Sequence, residues 1–395
     1  MKLAGIICEY NPFHRGHLRQ FRLTREALGE DCALICLMSG NFVQRGEPAI
    51  FPKSLRAQAA VRCGADLVLE LPLTTALSSA EGFAAGGVRI LNALGCEVLS
   101  FGSETGSPEP LLAAARANLD AAFDELLKKH LSDGGSYARA RTLALKEMGV
   151  ETTLDSPNDI LGVEYCKAIL RQSSPMKPLV IPRTGSYHAR IIDPEAPSAS
   201  ALRLAMAMGE GNTWQPAIPA CLHPLYKNAP FHSLETGERA ILARVRTLPD
   251  ENYRALPFGA EGLWSKLMKN CRSCGTVEEI LEATKSKRYA RSRIQRMLLC
   301  AFLGLTAEDL SAPAPYARIL AFNSRGRSLL RDLKGRFPLV NAGERPHDEG
   351  YYALEFRAGD LYSLFSQLGP RSAGEEARQR VCFLQGAGSE ASADF

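Results

Sequence analysis

Net charge is nearly absent from this sequence: 47 lysines and arginines stand against 43 aspartates and glutamates, a formal +4 over 395 residues. Bulk charge therefore selects no partner, and any such signal must come from local clustering. Long apolar runs are missing too; none reaches the length that crosses a bilayer, so no membrane partner is expected. A single lysine precedes the first apolar stretch and no cleavage-like segment follows, so a secretory signal is not expected and the cytoplasm is the natural compartment. A second Cys-x-x-Cys is also lacking. Cys271 and Cys274 form one such pair without a partner at zinc-ribbon spacing, and no metal is expected there. The eleven cysteines are odd in number, and Cys8, Cys32, Cys36, Cys96, Cys166 and Cys300 sit in apolar stretches, as small buried hydrophobes of a reducing compartment do. No internal repeat is present.

What is there is the composition of a globular protein, 46% hydrophobic and 23% charged, with length for two or three domains. Up to about residue 205 the pattern alternates between strands and helices. Strands are expected over residues 3–8, 33–38, 66–71, 97–101 and 178–181, and helices over 18–28, 53–63 and 79–94. Such alternation predicts an α/β fold, a Rossmann-like parallel sheet with helices on both faces. A helical insertion interrupts it over about 107–155; Leu111, Ala115, Leu119, Phe123 and Leu126 recur at helical spacing and suggest a hairpin. Asp155 or Ser156 is placed to cap a helix with Pro157 at its first position. Beyond Pro216, Pro219 and Pro224 the strand signal fades. The expected division is thus residues 1–205 as a nucleotide-binding sheet domain and 206–395 as a mainly helical domain, with a short apolar run at 317–322 and a loose tail.

The chemistry concentrates at His14-Arg15-Gly16-His17, between the first strand and the first helix. A helix N-terminus offers free N–H groups and partial positive charge, which suits phosphate. Two imidazoles three apart can both donate to one phosphate group, and Gly16 leaves the backbone open to a nucleotide. In open α/β sheets ligands bind beyond the carboxyl ends of the strands, where strand order reverses. The segment Ser39 to Pro48, then Gly102-Ser103, Asn158-Asp159 and Pro182-Arg183-Thr184 all fall at such ends or at helix starts. Lys53 and Arg56 open the next helix and could hold an anion, and His188 reads as structural. Further on, Ser198 or Ser200 could cap the helix that carries Arg203, by itself a common helix start.

His14, Gly16 and His17 resemble the HxGH signature of the nucleotidyltransferase superfamily that includes class I aminoacyl-tRNA synthetases, and Ser198 to Arg203 resembles its second motif. A closer resemblance follows from Gly5 to His17, Met38 to Pro48, Ser100 to Glu104, Ser156 to Leu161 and Ser198 to Arg203, matched in order across most of the first 205 residues. These look like the bacterial tRNA(Met) cytidine acetate ligase family. The resemblance implies an enzyme that activates acetate with ATP to acetyl-adenylate, then acetylates the wobble cytidine of elongator tRNA(Met) to 4-acetylcytidine. It implies ATP contacts from Ile7, Cys8, Glu9, Tyr10, Asn11, Pro12, Phe13, His14, Arg15, Gly16, His17, Leu18, Arg19 and Gln20, with Gly102, Asn158, Arg183 and Thr184. Ser198 and Ser200 join these at the triphosphate, His14, His17 and Arg203 are the expected catalytic residues, and Mg²⁺ is expected to accompany ATP. No obligate protein partner is evident.

The second half adds its own clue. Residues 285–296 hold six basic side chains and no acid: Lys285, Lys287, Arg288, Arg291, Arg293 and Arg296. On a helix whose other side carries Ile294, Met297 and Leu298, they would track RNA phosphates, with Arg291 and Arg296 projecting outward and Arg325, Arg327, Arg331, Lys334 and Arg336 extending the patch. Two other functions compete: adenylation or cytidylylation of a small metabolite, and non-catalytic RNA binding regulated by ATP.

Overall fold

The computed structural model describes residues 1–132, 137–150, 156–183, 192–194, 197–209, 211–286 and 288–385. Its centre is an eight-stranded sheet. The first half supplies β1 (Leu3–Cys8), β2 (Ala33–Ser39), β3 (Leu67–Leu71), β4 (Val98–Ser103) and β5 (Lys177–Pro182), separated by α1 (Arg15–Leu28), α2 (Lys53–Arg62), α3 (Ala80–Ala93) and an insertion. These strands run parallel in the order β3-β2-β1-β4-β5. Parallel strands covered on both faces read as near-continuous hydrophobic runs, and all seven residues of β2 are buried. Alternation then sorts them: Leu34, Cys36 and Met38 enter one core with Phe21 and Ala57, while Ile35 and Leu37 enter another with Phe83 and Val163.

The insertion is three helices rather than a hairpin: α4 (Pro108–Ala117), α5 (Ala121–Ser132) and α6 (Tyr137–Glu147). The apolar spacing is broken because Asp120 accepts from Ala122 N–H and restarts the helix, leaving Leu119 exposed in the turn. α7 (Pro157–Arg171) starts with Ser156 as N-cap, its hydroxyl accepting from Asp159 N–H, while Asp155 lies outside the described residues. α8 (Ala199–Ala207) follows, and the helical part includes α9 (Leu234–Thr247), α10 (Leu263–Ser273), α11 (Val277–Thr284) and α12 (Arg291–Leu303).

The division expected at residue 205 does not bound the sheet. β6 (Ala317–Asn323) pairs antiparallel with β3, and β7 (Leu339–Asn341) and β8 (Cys382–Leu384) pair parallel with β6. α13 (Ser324–Asp332) packs back on this edge, and α14 (Glu349–Tyr362) and α15 (Glu375–Arg378) follow. The helical core is shared as well, since Phe42, Leu73 and Leu77 of the first half pack among Ile241, Leu267 and Met297. Without β6, β3 would end the parallel sheet, and the pairing satisfies backbone groups that would otherwise be unpaired.

A buried ionic cluster fastens this edge. Lys53 Nζ donates to Glu70 at 2.7 Å and to Glu376 at 2.8 Å, and Arg318 Nε donates to Glu355 at 2.9 Å and lies 3.2 Å from Glu376. Lys53 is therefore not an anion site. Arg56 is likewise consumed, donating to the carbonyls of Glu9, Ser39, Gly40 and Phe51. Three carboxylates face two cations here, and burial, then the Glu70 charge, pushes Glu355 up from 4.5 to about 7. Between those values the folded chain binds the Glu355 proton more tightly than the unfolded chain, so this stability is present at low pH and fades as pH rises through about 7. The stability of the wild type relative to Glu355→Gln is expected to fall by on the order of 3 kcal/mol between pH 5 and 7.5. Calorimetric melting across that range checks it; parallel pH slopes in the two proteins would refute it.

Candidate active site

β1 lies between β2 and β4, so the chain leaves it in opposite directions along the sheet, and a crevice opens beyond its carboxyl end. A pocket of about 540 Å³ occupies this place. The turn that enters it is tight, with Tyr10 at φ 46° and a cis Asn11–Pro12 peptide bond.

His14 is the N-cap of α1 rather than part of its first turn. Its Nδ1 accepts from Gly16 N–H at 3.1 Å, and His17 Nδ1 accepts from His14 N–H at 3.2 Å, a reciprocal capping box. With both Nδ1 atoms accepting, the ring proton of each sits on Nε2, the donor left for a ligand. The rings stack at 3.7 Å and line the pocket. Burial, then the charges of Arg183 and Arg203, pushes His14 down to about 3; burial, then His14 and Arg183, also holds His17 well below its ordinary value. Both are neutral donors at physiological pH. The role of Gly16 differs from the open backbone expected: a Cβ there would lie 2.9 Å from His14 Cε1, so glycine lets the ring fold back onto the helix.

The other expected residues divide into pocket wall and support. Ile7, Cys8, Glu9, Tyr10, Asn11 and Gln20 line the pocket beside the histidines. Glu9 accepts from Gln44 N–H at 2.9 Å; burial pushes its carboxyl up, against that bond and Arg203. Pro12 and Phe13 are buried beneath the turn, and Leu18 packs against the core. Arg19 donates to Pro182 O at 2.7 Å and Gln20 to Ser100 O at 3.0 Å, tying α1 to β5 and β4. Gly102, Arg183, Gly16 and Arg19 border a smaller adjoining recess, and the Arg183 side chain lies over Gly102. Asn158 Nδ2 donates to Glu104 at 2.6 Å, whose carboxylate is 3.8 Å from Arg183. Asp159 and Ser103 are buried and bonded to each other, so neither reads a nucleotide. Thr184, His188 and Lys287 lie outside the described residues.

From the opposite wall Ser198, Ser200 and Arg203 reach the pocket. Ser198 is the N-cap of α8 without a side-chain cap bond, and Arg203 donates to Asn11 O at 2.9 Å and to Ser200 Oγ at 3.3 Å. The Ser39 to Pro48 segment forms a small hairpin whose Val43, Gln44, Arg45 and Glu47 line the same pocket. The sequence reading missed Phe83, Leu161 and Tyr165, whose apolar pattern is that of core residues, and Ser292. It placed Arg296 outward, whereas Arg296 is 8% exposed and also lines the pocket.

Three of the remaining basic residues, Lys285, Arg288 and Arg291, are ion-paired at the surface. Arg291 meets Glu278 and Glu282, Arg288 meets Glu261, and Lys285 meets Glu282, while Arg293 donates to Phe258 O. Acids of α11 and of the turn that precedes α10 thus supply what the local sequence lacks. Arg325 and Arg336 bond to Cys32 O and Leu94 O near the starts of β2 and β4, the opposite end of the sheet, so they do not extend this patch.

A family model for HIGH nucleotidyl transferases matches residues 1–377. The chain is 34% identical over 416 residues to the tRNA(Met) cytidine acetate ligase of Acetivibrio thermocellus, covering 97% of this chain and 100% of that one. It is 36% identical over 381 residues to the enzyme of that name from Caldicellulosiruptor saccharolyticus, covering 92% and 94%. The crystal structure of Thermotoga maritima TmcAL bound with alpha-thio ATP is similar, with a TM-score of 0.86 at 30% identity and coverage of 98% and 100%. The apo form of that protein gives 0.88 at 29% identity, covering 98% and 100%.

The capping geometry carries a test. Gly16→Ala is expected to displace the His14 ring and weaken ATP binding by about tenfold or more, the worth of one charge-assisted hydrogen bond. Calorimetric titration with a non-hydrolysable ATP analogue measures it, and an unchanged Kd would show that the cap does not set the site. By long-range nitrogen NMR, the free protein is expected to keep His14 and His17 neutral down to pH 5 with unprotonated Nδ1.

Proposed function

This chain belongs to the tRNA(Met) cytidine acetate ligase family, and from that premise we propose that it is an ATP-dependent ligase that acetylates the wobble cytidine of elongator tRNA(Met) through acetyl-adenylate. One observation carries the reading: two neutral imidazoles and Arg203 line one pocket at the sheet's switch point.

The chemistry runs in two displacements. An acetate oxygen attacks the α-phosphorus of ATP, a P–O bond forms, and the bond to the β-phosphate bridge oxygen breaks. Charge builds on the α-phosphoryl oxygens, where the His14 and His17 Nε2–H donors stabilise it more than the ground state. Arg203, with Ser198 and Ser200, holds the departing pyrophosphate. Asn158, Arg183 and Thr184 with Gly102 hold the nucleoside side. The exocyclic amine of cytidine then attacks the acyl carbon, the mixed anhydride bond breaks, AMP leaves, and the nitrogen loses a proton to solvent. Neutral histidines suit the first step because a donor needs no protonation event.

Mg²⁺ is proposed as a companion of the triphosphate, because it keeps most of its waters when it comes with phosphate. When bound, it offsets triphosphate charge.

The helical side, within residues 206–395, is the tRNA-facing part in this reading, with Lys285, Lys287, Arg288, Arg291 and Arg293 at the RNA. Exposed ion pairs contribute little, so phosphates can replace the glutamates as partners. A cytoplasmic setting accords with tRNA as substrate, and no described helix is long and apolar enough to cross a membrane.

Purified protein given labelled acetate, ATP and tRNA is expected to place label on a cytidine amine. His17→Ala is expected to lower the rate by about a hundredfold or more, typical of losing one transition-state donor. ATP–pyrophosphate exchange that proceeds equally without acetate would count against the assignment. Arg288→Ala with Arg291→Ala is expected to raise the KM for tRNA and spare acetate-dependent exchange; loss of exchange would place those residues elsewhere.

A further inference from the structure

α12 brings two polar side chains to the pocket from the far half of the chain. Ser292 stands in its first turn and Arg296 four residues on, so both lie on one face. The helix starts at Ala290 without a side-chain cap or an acid in its first turn, which leaves that end positive. The Arg296 guanidinium lies 5.1 Å over the Phe258 ring and donates from Nη1 to Gln44 O at 3.3 Å, while Nε has no acceptor. Among the described residues no carboxylate pairs with it. Burial first, then the like charges of Arg293 and Arg45, pushes it down to about 10.

A buried guanidinium without a counter-charge is strongly unfavourable unless an anion arrives. The packing holds it there. Gly46 has φ 79°, and a Cβ on it would lie 2.6 Å from Arg296 N, so hairpin and helix meet backbone to backbone. Gln295 donates to Glu47 at 3.0 Å, and Arg203 lies 3.9 Å from the same carboxylate. Arg203 and α12 therefore flank one lip of the pocket.

We infer that Arg296, with Ser292, receives the terminal phosphates of ATP and the pyrophosphate released from it. The inference rests on the acetate ligase reading above, and it takes Arg296 out of the RNA surface and into the adenylation site. An ATP phosphate is favoured over an RNA phosphate because the guanidinium is buried inside the pocket that His14 and His17 line. The site for the first displacement is then completed only when the second half of the chain has folded onto the first.

Acetate-dependent ATP–pyrophosphate exchange without tRNA tests it in the full-length protein. Arg296→Met is expected to raise the KM for pyrophosphate by about 10- to 100-fold, with Arg296→Lys recovering part of the loss and the KM for tRNA unchanged. The melting temperature of Arg296→Met should hold or rise, since an uncompensated charge has been removed; a purely structural arginine would lower it and leave the KM alone, which overturns the inference. Unchanged exchange with a raised KM for tRNA also overturns it and gives Arg296 to the RNA. Should the variant not fold, inorganic pyrophosphate must raise the melting temperature of the wild type, and no shift at millimolar concentration sinks the idea. A wild type with no acetate-dependent exchange would undo the acetate reading instead, and a pyrophosphate melting shift that is smaller in Arg296→Met than in the wild type would still decide this one.

Discussion

The N–H of Gly16, donated to Nδ1 of His14 across 3.1 Å, governs the rest of the site. That bond starts α1, turns the His14 ring back on its own backbone, and fixes which ring nitrogen carries the proton. His17 repeats the device by accepting from His14 N–H. Each imidazole spends its acceptor nitrogen on the helix and, in the proposed reaction, keeps its donor nitrogen for substrate. A cap of Ser or Asp would start the helix equally well, but it would leave no N–H for a phosphoryl oxygen. In the proposed reaction helix initiation and ligand recognition are thus one arrangement, and the neutral state of both rings follows from their burial, with Arg183 acting on both and Arg203 on His14.

The second constraint is that the two halves of the chain are not separable bodies. The sheet gains β6, β7 and β8 from residues after 316, a buried cluster ties Lys53 and Glu70 to Glu376, and the pocket takes Ser292 and Arg296 from α12. Buried ion pairs add little net stability, yet breaking one leaves a charge stranded. Such a cluster makes partial opening costly. The helical side therefore stays in contact with the hairpin over the pocket, and the face bearing Arg288 and Arg291 belongs to the same structural unit as the histidines.

Much of this was legible in the linear chain. Five parallel strands could be read because strands buried on both faces are continuously apolar and short. The histidine pair could be read because a glycine between polar groups at a strand-to-helix boundary leaves few structural explanations, whereas Arg203, at a common helix start, was legible only through its resemblance to a second motif. β6 was only a short apolar run, because an antiparallel edge strand contributed from far along the chain leaves no local rhythm. Leu119 counted as helical spacing until Asp120 restarted the helix. Lys53, Arg56 and Asp159 looked available for ligand, and each turned out to be buried and consumed by partners 17 to 323 residues away or by backbone carbonyls.

The order of residues alone determined the fold class, the position of the nucleotide crevice, and the helix start at which two imidazoles stand three apart. These are local matters of periodicity, capping and turn chemistry, which near neighbours decide. Tertiary structure alone decided which charges face the crevice and which serve the interior. The run from Lys285 to Arg296 carries one sign of charge along the chain, yet Glu261, Glu278 and Glu282 pair with Arg288, Arg291 and Lys285 while Arg296 turns inward. A side chain's charge is fixed by its identity, but its counter-charge and dielectric are set by whatever the fold brings against it.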